Sequence, residues 1–171
     1  MFRNMRRSKQ VLSQEDSIAV LEKATSGVLA VSGDDDYPYA VPVSFVYADG
    51  KIFFHCAKSG HKLDAIARNS KVSFCVIDED KIVPEEYTTY FRSVIAFGKA
   101  RILEEEAEKR SAIEKLAAKY TPDDEAGRLA EIDKEFKALC MVEIAIEHLS
   151  GKEAIEFVLS LIHISEPTRR R

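Results

Sequence analysis

The hydrophobic positions in the first third of the chain change from a helical period to an alternating one. Across residues 14–25 apolar side chains recur three apart, and Ser13 stands where it can cap a helix. After Gly27 three runs of strand type follow, separated by turn residues. These runs predict a meander of antiparallel strands: VLAVS at 28–32, YAVPVSFVY at 39–47 and KIFFHCA at 51–57.

The remainder of the chain repeats the two patterns. Residues 60–68 have helical spacing, whereas KVSFCVID at 71–78 and TYFRSVIAFGKARIL at 89–103 are of strand type. Charged residues dominate 104–137, where apolar spacings of three and four predict two amphipathic helices divided at Thr121 and Pro122. CMVEIAIEH at 140–148 alternates again. Together these elements predict a mainly β fold, a six-stranded antiparallel barrel, closed or nearly closed, with peripheral helices.

Composition limits the classes of function. The chain has 171 residues, and 25 Lys plus Arg against 29 Asp plus Glu give a net charge of −4, which disfavours nucleic acid as a partner. No apolar run approaches the ~20 residues of a membrane span, and the basic residues near the start precede no apolar signal segment. We therefore predict a cytoplasmic protein with one domain over 1–158.

Two further features of the sequence carry no predicted chemistry. The segment LSLIHISEPTRRR at 159–171 resembles a translated cloning adaptor, so we predict that it is a non-native or disordered tail. Cys56, Cys75 and Cys140 are odd in number and far apart in sequence. They predict neither a disulfide framework nor a metal-binding or redox C-x-x-C pair, and we expect buried, reduced thiols.

The stretch FHCAKSGHK at 54–62 concentrates the polar chemistry of the chain. Ser59, Gly60, His61 and Lys62 fall where a strand passes into a short helix. Free backbone N–H groups and the helix dipole favour an anion at such a point, and Lys62 adds a full positive charge. The residues alone allow two interpretations, a phosphate cradle or an ordinary helix cap with a solvated lysine.

The neighbouring strand limits other chemistry. If the strand is regular, Phe53, His55 and Ala57 lie on one face and Cys56 lies on the other. His55 and Cys56 therefore cannot bind one metal ion without distortion, and no zinc site is predicted. For the same reason a Cys–His pair for acyl transfer is not expected.

Pro42 and Arg92 are unusual residues for their predicted positions. Pro42 interrupts an apparent central strand, which indicates an edge, a bulge or a backbone reserved for a ligand. Arg92 shares a strand face with Val94 and Ala96 and needs a partner, either an acidic side chain or an anionic ligand.

An ordered set of segments spanning residues 3–157 resembles one family, the split-barrel flavin-binding proteins related to pyridoxamine phosphate oxidase. Within that family the segments resemble the nitroimidazole-resistance branch. The segments that carry the resemblance are MRR, TSGVLAVSGDDDYPYAVPVSFVY, KIFFHCAKSGHKLDAI, KVSFCV, IVPEEYTTYFRSVIAFGKARIL and HLSGKEAIE.

The resemblance implies a homodimer of two six-stranded barrels with FMN bound at the interface. It places Ser59, His61 and Lys62 at the phosphate and implies contacts from Arg92 and Ser93 near the phosphate or from the partner chain. The remaining implied cofactor contacts lie beside the isoalloxazine ring or in its cleft: Val41, Pro42, Val43, Ser44, His55 and Ala57.

The function implied by the resemblance is reduction of 5-nitroimidazoles to amines by an FMN-dependent reductase. His55 is the candidate catalytic residue, as a substrate contact or proton donor. An alternative is a flavin- or haem-binding protein without nitroreductase turnover, acting as a carrier, a sensor or a haem-handling protein, with His55 as an axial haem ligand. Oxidation of pyridoxamine phosphate is a third hypothesis, which the lack of a second basic cluster disfavours. No glycine fingerprint for a nicotinamide dinucleotide is visible, so the electron donor stays open.

Overall fold

Seven antiparallel strands and five helices make up the computed structural model, which describes residues 1–165 and their side chains through residue 160. The helices are α1 (Gln14–Lys23), α2 (His61–Arg68), α3 (Glu106–Tyr120), α4 (Glu125–Glu135) and α5 (Ile155–Ser165). The strands are β1 (Ser26–Ser32), β2 (Pro38–Ser44), β3 (Val46–Ala48), β4 (Lys51–Ala57), β5 (Lys71–Val83), β6 (Thr88–Ile102) and β7 (Leu139–Glu153).

The strands form one open sheet in the order β2-β1-β5-β6-β7-β4-β3. The prediction of a mainly antiparallel β fold with helices is confirmed, whereas the predicted six-stranded, nearly closed barrel is wrong. The predicted strand at 39–47 is divided at Phe45, so that β2 pairs with β1 and β3 pairs with β4. The two edges of the sheet are thus joined by a single residue but do not pair with each other.

Phe45 divides the strand because both its side chain and its backbone are engaged away from the ladder. Its ring is fully buried and meets the edge of Phe74, with ring centroids 4.9 Å apart. Its N–H donates to Tyr120 Oη at 3.1 Å, and Tyr120 Oη donates to Phe45 O at 3.3 Å. Burial of the ring and these side-chain hydrogen bonds replace the strand pairing that alternation alone predicts.

β5 and β7 are longer than predicted, and together with β6 they extend the sheet. β5 and β6 continue into a hairpin closed by the turn Pro84–Glu86, where Tyr87 adopts φ 50°. The polar segment IVPEEYTT at 82–89 is therefore the tip of a hairpin. β7 runs on to Glu153 beside β6, past a bulge between Phe97 and Gly98.

Apolar side chains pack on both faces of the sheet. The larger core lies on the inward face and includes Leu29, Phe54 and Phe74. A second core lies between the outward face of β4 and β7 and the helices α3 and α4, where Phe53 and Met141 pack. The predicted alternation along β4 is confirmed, because each of its faces enters a different core or the solvent.

The predicted helices are confirmed with small changes at their ends. Ser13 Oγ accepts from the Asp16 N–H at 3.0 Å and caps α1 as expected. α3 ends at Tyr120, immediately before Thr121 and Pro122. Within residues 1–165, no helix combines the length and the apolar character needed to cross a bilayer.

The predicted tail at 159–171 is only partly described. α5 continues through Ser165, so residues 159–165 are helical. Residues 166–171 lie outside the described part of the chain. The prediction of a non-native or disordered tail therefore stays a prediction, as does the domain boundary at 158.

Candidate functional site

The turn between β4 and α2 leaves an open position at the start of a helix. Gly60 precedes α2 with φ 139°, and no heavy atom other than those of its chain neighbours lies within 4 Å of a Cβ built there. The first hydrogen bonds of the helix are donated by Leu63 and Asp64 to Gly60 O, so the N–H groups of His61 and Lys62 precede them. Two backbone donors and the positive end of the helix dipole therefore face this position.

The polar side chains around this helix start differ in their availability. Ser59 is exposed, and Lys62 is half-buried without a carboxylate partner among residues 1–160. His61 Nε2 accepts from the Asp34 N–H at 3.3 Å, and the His61 ring packs on Tyr39 with centroids 4.2 Å apart. Ser59 and Lys62 can thus bind an incoming anion, while one nitrogen of His61 is already occupied.

An acidic turn lies close to the same helix. Asp34 carries one carboxylate oxygen 2.8 Å from Arg68 Nη2 and the other 3.8 Å from His61 Nε2. Its charge is therefore compensated by Arg68 at the opposite end of α2. The positive charge of Lys62 is not cancelled by this turn.

Pro42 lies on β2, an edge strand, which confirms one of the positions predicted for it. Its neighbours Val41 and Val43 point inward and pack against the larger core. Pro42 and Ser44 are exposed on the outward face. The segment 41–44 therefore offers two outward side chains and a free strand edge, whereas its valines are structural.

An apolar face lies uncovered on the outward side of β2, β1, β5 and β6. Four residues lie directly opposite one another in successive strands and form a row across this face: Pro42, Val28, Cys75 and Ile95. Ile95 is 39% exposed. No helix of the described chain packs here, so the face is available to a ligand or a second protein.

A cleft of about 690 Å³ lies between the sheet and the helices α3 and α4. Ser44 and His55 form its sheet side, and Ile113, Leu116 and Tyr120 contribute to its helical side. His55 is exposed to this space. Ser44 and His55 thus lie at one cleft, and Ala57 follows His55 on the outward face of β4. Their implied roles as cofactor contacts stay predictions.

Arg92 has an acidic partner, one of the two kinds predicted for it. Its Nη2 lies 2.9 Å from Glu153 Oε2 and its Nη1 lies 3.3 Å from Asp78 Oδ2. Burial lowers the pKa of Arg92 because it disfavours the charged form. The hydrogen bonds and charges of Glu153 and Asp78 have the larger effect, and the pKa of Arg92 is raised. Arg92 packs over the Phe157 ring at 5.1 Å. Ser93, next in the strand, faces outward opposite Ile77.

Sequence reasoning missed the helical wall of the cleft. The spacing of α3 predicted an amphipathic helix but gave no sign that Tyr120 reaches back to Phe45. It also missed the support of His61 by Tyr39 and Asp34, which are 22 or more positions away in the chain. Among residues 1–160, no three His, Cys, Asp or Glu side chains gather in a metal-binding arrangement.

Solved structures with the same fold include three that carry functional descriptions. A candidate 5-nitroimidazole antibiotic resistance protein from Bacteroides thetaiotaomicron has TM-score 0.71 and 21% identity, covering 84% of this chain and 86% of that one. An FAD-binding protein from Mesorhizobium loti has TM-score 0.63 and 25% identity, covering 85% and 97%. An FAD and haem binding protein from Mycobacterium smegmatis has TM-score 0.70 and 22% identity, covering 89% and 80%.

A comparison with curated protein sequences finds no match. The sequence does match one family model, described as pyridoxamine 5'-phosphate oxidase, over residues 13–153. That range begins at the cap of α1 and ends with β7, so it includes the whole sheet, the start of α2 and the cleft. The chain belongs to the pyridoxamine 5'-phosphate oxidase family.

Proposed function

We propose that this chain is a cytoplasmic, FMN-dependent reductase of nitro compounds that acts as a homodimer. The substrates are 5-nitroimidazoles, which it reduces to amines in nitroimidazole resistance. The observation that carries the proposal is Lys62, a cation without a carboxylate partner among the described side chains, at the open start of α2. Membership of the family and the fold shared with the Bacteroides protein support it.

The start of α2 fits the phosphate of a flavin mononucleotide. Lys62 supplies the countercharge, Ser59 supplies a hydroxyl, and the N–H groups of His61 and Lys62 supply backbone donors. The absence of a side chain at Gly60 leaves room for phosphate oxygens. His61 positions the turn through Tyr39 and Asp34, and its second ring nitrogen is available to the anion.

The isoalloxazine ring fits the outward side of β2 and β4. Pro42 and Ala57 are small or rigid exposed residues on that side, and the free edge of β2 offers backbone hydrogen-bonding groups. A second copy of the chain on the uncovered face would enclose the ring. Ser93 lies on that face, and from there it can contact the cofactor of the partner.

The cleft beside His55 is the proposed substrate site. When bound, FMN supplies the electron pairs that the reduction of a nitro group consumes. The apolar wall of α3 holds the flat heterocycle and excludes water, and Ser44 and His55 orient the nitro group. The imidazole of His55 donates protons to the nitro oxygens as they leave as water.

An anaerobic turnover measurement tests this function. The purified protein is loaded with FMN, reduced chemically and incubated with a 5-nitroimidazole, and the products are identified by mass spectrometry. We expect the amine, and a His55→Gln variant should form it at least about tenfold more slowly while it binds FMN normally. Recovery of unchanged drug from the loaded wild-type protein would contradict the proposal.

The exposed position of His55 supports a second candidate function, haem binding without nitroreduction. Its ring faces the cleft, and a fold neighbour is an FAD and haem binding protein. Titration with haem under reducing and oxidising conditions, followed by absorption, distinguishes the two functions. A Soret band that shifts on His55→Ala would support axial ligation, whereas spectra identical for both proteins would exclude His55 as the ligand.

A further inference from the structure

Two of the three cysteines lie directly opposite each other in the sheet. Cys56 on β4 pairs in register with Cys140 on β7, although 83 residues separate them in the chain. Opposed residues of an antiparallel pair have Cα atoms about 4.5–5.5 Å apart and side chains on the same face. A disulfide needs Cα atoms about 4.4–6.8 Å apart, so the ladder itself provides the required spacing.

The register places the two thiols side by side, and Cys56 is partly exposed to solvent. Both side chains point inward at the end of the larger core, from residues that are paired across neighbouring strands. Cys56 is half-buried, and Cys140 lines a cleft of about 590 Å³ that also includes Lys58. Burial and then the neighbouring Cys140 raise the pKa of the Cys56 thiol, and Lys62 partly opposes both effects, so that the pKa is about 11.

Cys75 is in a different environment and serves as an internal comparison. It lies on the outward face of β5, where Val28 and Ile95 are its cross-strand neighbours. No cysteine stands opposite it in the described sheet. Burial raises the pKa of this thiol too, so Cys56 and Cys75 differ mainly in whether a second thiol is adjacent.

We propose that Cys56 and Cys140 are an oxidisable thiol pair that hydrogen peroxide converts to an intramolecular disulfide. The thiolate of one cysteine attacks a peroxide oxygen, the O–O bond breaks, and a sulfenic acid and hydroxide form. The second thiol displaces the sulfenic oxygen as water and forms the S–S bond. Overall two thiols and one peroxide give one disulfide and two water molecules.

The bond would lie close to the proposed phosphate position. It joins β4 to β7 one residue before β4 ends at Ala57, and the turn 58–60 then leads into α2. Oxidation would thus link β4, the strand that precedes this turn, covalently to β7. The modification itself does not depend on FMN, so its test is independent of the proposed reductase function.

Peptide mapping of the oxidised protein tests the pair directly. Trypsin cleaves after Lys51, Lys58, Lys71, Lys81, Lys137 and Lys152, which places the three cysteines in the separate peptides 52–58, 72–81 and 138–152. The folded full-length chain is reduced, freed of reductant, treated with hydrogen peroxide, blocked with iodoacetamide and digested. We expect peptides 52–58 and 138–152 to be joined by a disulfide and peptide 72–81 to be alkylated.

Variants sharpen the result. Cys75→Ser should still lose two hydrogen atoms from its intact mass on oxidation, whereas Cys56→Ser should not. Oxidised Cys75→Ser should also unfold about 5 °C or more above its reduced form, because the disulfide closes a long loop. Full alkylation of both peptides from the peroxide-treated wild type, or sulfinic acid at either cysteine in place of the link, would overturn the proposal.

Discussion

Lys62 combines a half-buried position with a charge that no carboxylate of the described chain balances. A half-buried cation loses part of its hydration, and a bound anion would compensate that loss. Asp34, the acidic residue beside the same helix, is paired with Arg68 instead. At the scale of single residues, this unbalanced charge favours the proposed phosphate site over an ordinary helix start.

Glu143 shows the opposite arrangement, a buried carboxylate whose charge is fully compensated. Its side chain is 7% exposed and lies 2.9 Å from Arg101 Nε and 3.0 Å from Lys51 Nζ. Burial opposes its ionisation, but hydrogen bonds from both cations outweigh burial and hold the pKa of Glu143 below its usual range. This cluster joins β4, β6 and β7 and is structural.

Replacing Glu143 tests that interpretation. Glu143→Gln should lower the free energy of unfolding by about 1–3 kcal/mol at pH 7, because the buried side chain loses the charge that binds Lys51 and Arg101. A carboxyl with a depressed folded-state pKa stabilises above its unfolded pKa of about 4.3, and that stabilisation is lost as the pH falls through its folded pKa. In urea unfolding, the difference in free energy of unfolding between the wild type and the variant should therefore become smaller from pH 7 to pH 3. A difference in free energy of unfolding that did not change with pH would contradict this interpretation of Glu143.

The bend between β2 and β3 decides how the elements meet at the site. The hydroxyl of Tyr120, at the end of α3, accepts from the Phe45 N–H, and its single proton is shared between the carbonyl oxygens of Thr25 and Phe45. Lys119 lies 4.4 Å above the Phe45 ring. The last turn of α3 therefore holds the two sheet edges in place and positions Ser44 beside the cleft.

Loss of the Tyr120 hydroxyl should weaken this junction. Tyr120→Phe leaves the buried Phe45 N–H without its side-chain acceptor, and we expect a loss of about 1–2 kcal/mol in the free energy of unfolding. Chemical denaturation of both proteins measures it. Tyr37→Phe is the matched control, since Tyr37 is 77% exposed, and it should unfold as the wild type does. Equal stability of the two variants would show that the junction does not depend on this hydroxyl.

Elements with a clear period were predictable, and their long-range pairing was not. Alternation fixed which residues of β4 face each core, and the cap at Ser13 fixed the start of α1. The division at Phe45 depends on a hydroxyl 75 residues away, which no local pattern contains. The opposition of Cys56 and Cys140 likewise follows from strand register, which emerges only when β4 and β7 pair.

The uncovered apolar face is a property of the whole molecule. Ile95 and Phe97 of β6 are 39% and 38% exposed on this face, and the ring of Phe2 stacks on Phe97 at 5.5 Å. A contiguous face of this kind is unusual for a monomer in water. A second copy of the chain would bury it and complete the proposed flavin sites.

A charge on this face should disrupt the proposed dimer. Ile95→Lys places an ammonium group in the apolar row, and we expect a dimer for the wild type and a monomer for the variant in sedimentation equilibrium. Ile102→Lys is the matched control, because Ile102 is 37% exposed on the same strand but lies outside that row, and it should remain dimeric. A dimeric Ile95→Lys protein would place the interface elsewhere.

The candidate site was predictable in its parts but not in its assembly. The order Ser59, Gly60, His61 and Lys62 at a strand-to-helix turn was visible in the sequence and is present in the structure. The partner of Arg92 could not be chosen from the sequence, because an acidic side chain and an anion satisfy a buried guanidinium equally. The structure pairs it with Glu153 on the neighbouring strand.

The most direct test of the phosphate site is an FMN titration of the apoprotein, followed by quenching of flavin fluorescence, for the wild type and two lysine variants. A charge-assisted hydrogen bond contributes about 1.5–3 kcal/mol, so Lys62→Met should weaken FMN binding about 10- to 100-fold. Lys71→Met removes the same charge from an exposed position beyond the other end of α2 and should bind as the wild type does. Undiminished FMN affinity in a correctly folded Lys62→Met protein would contradict the account.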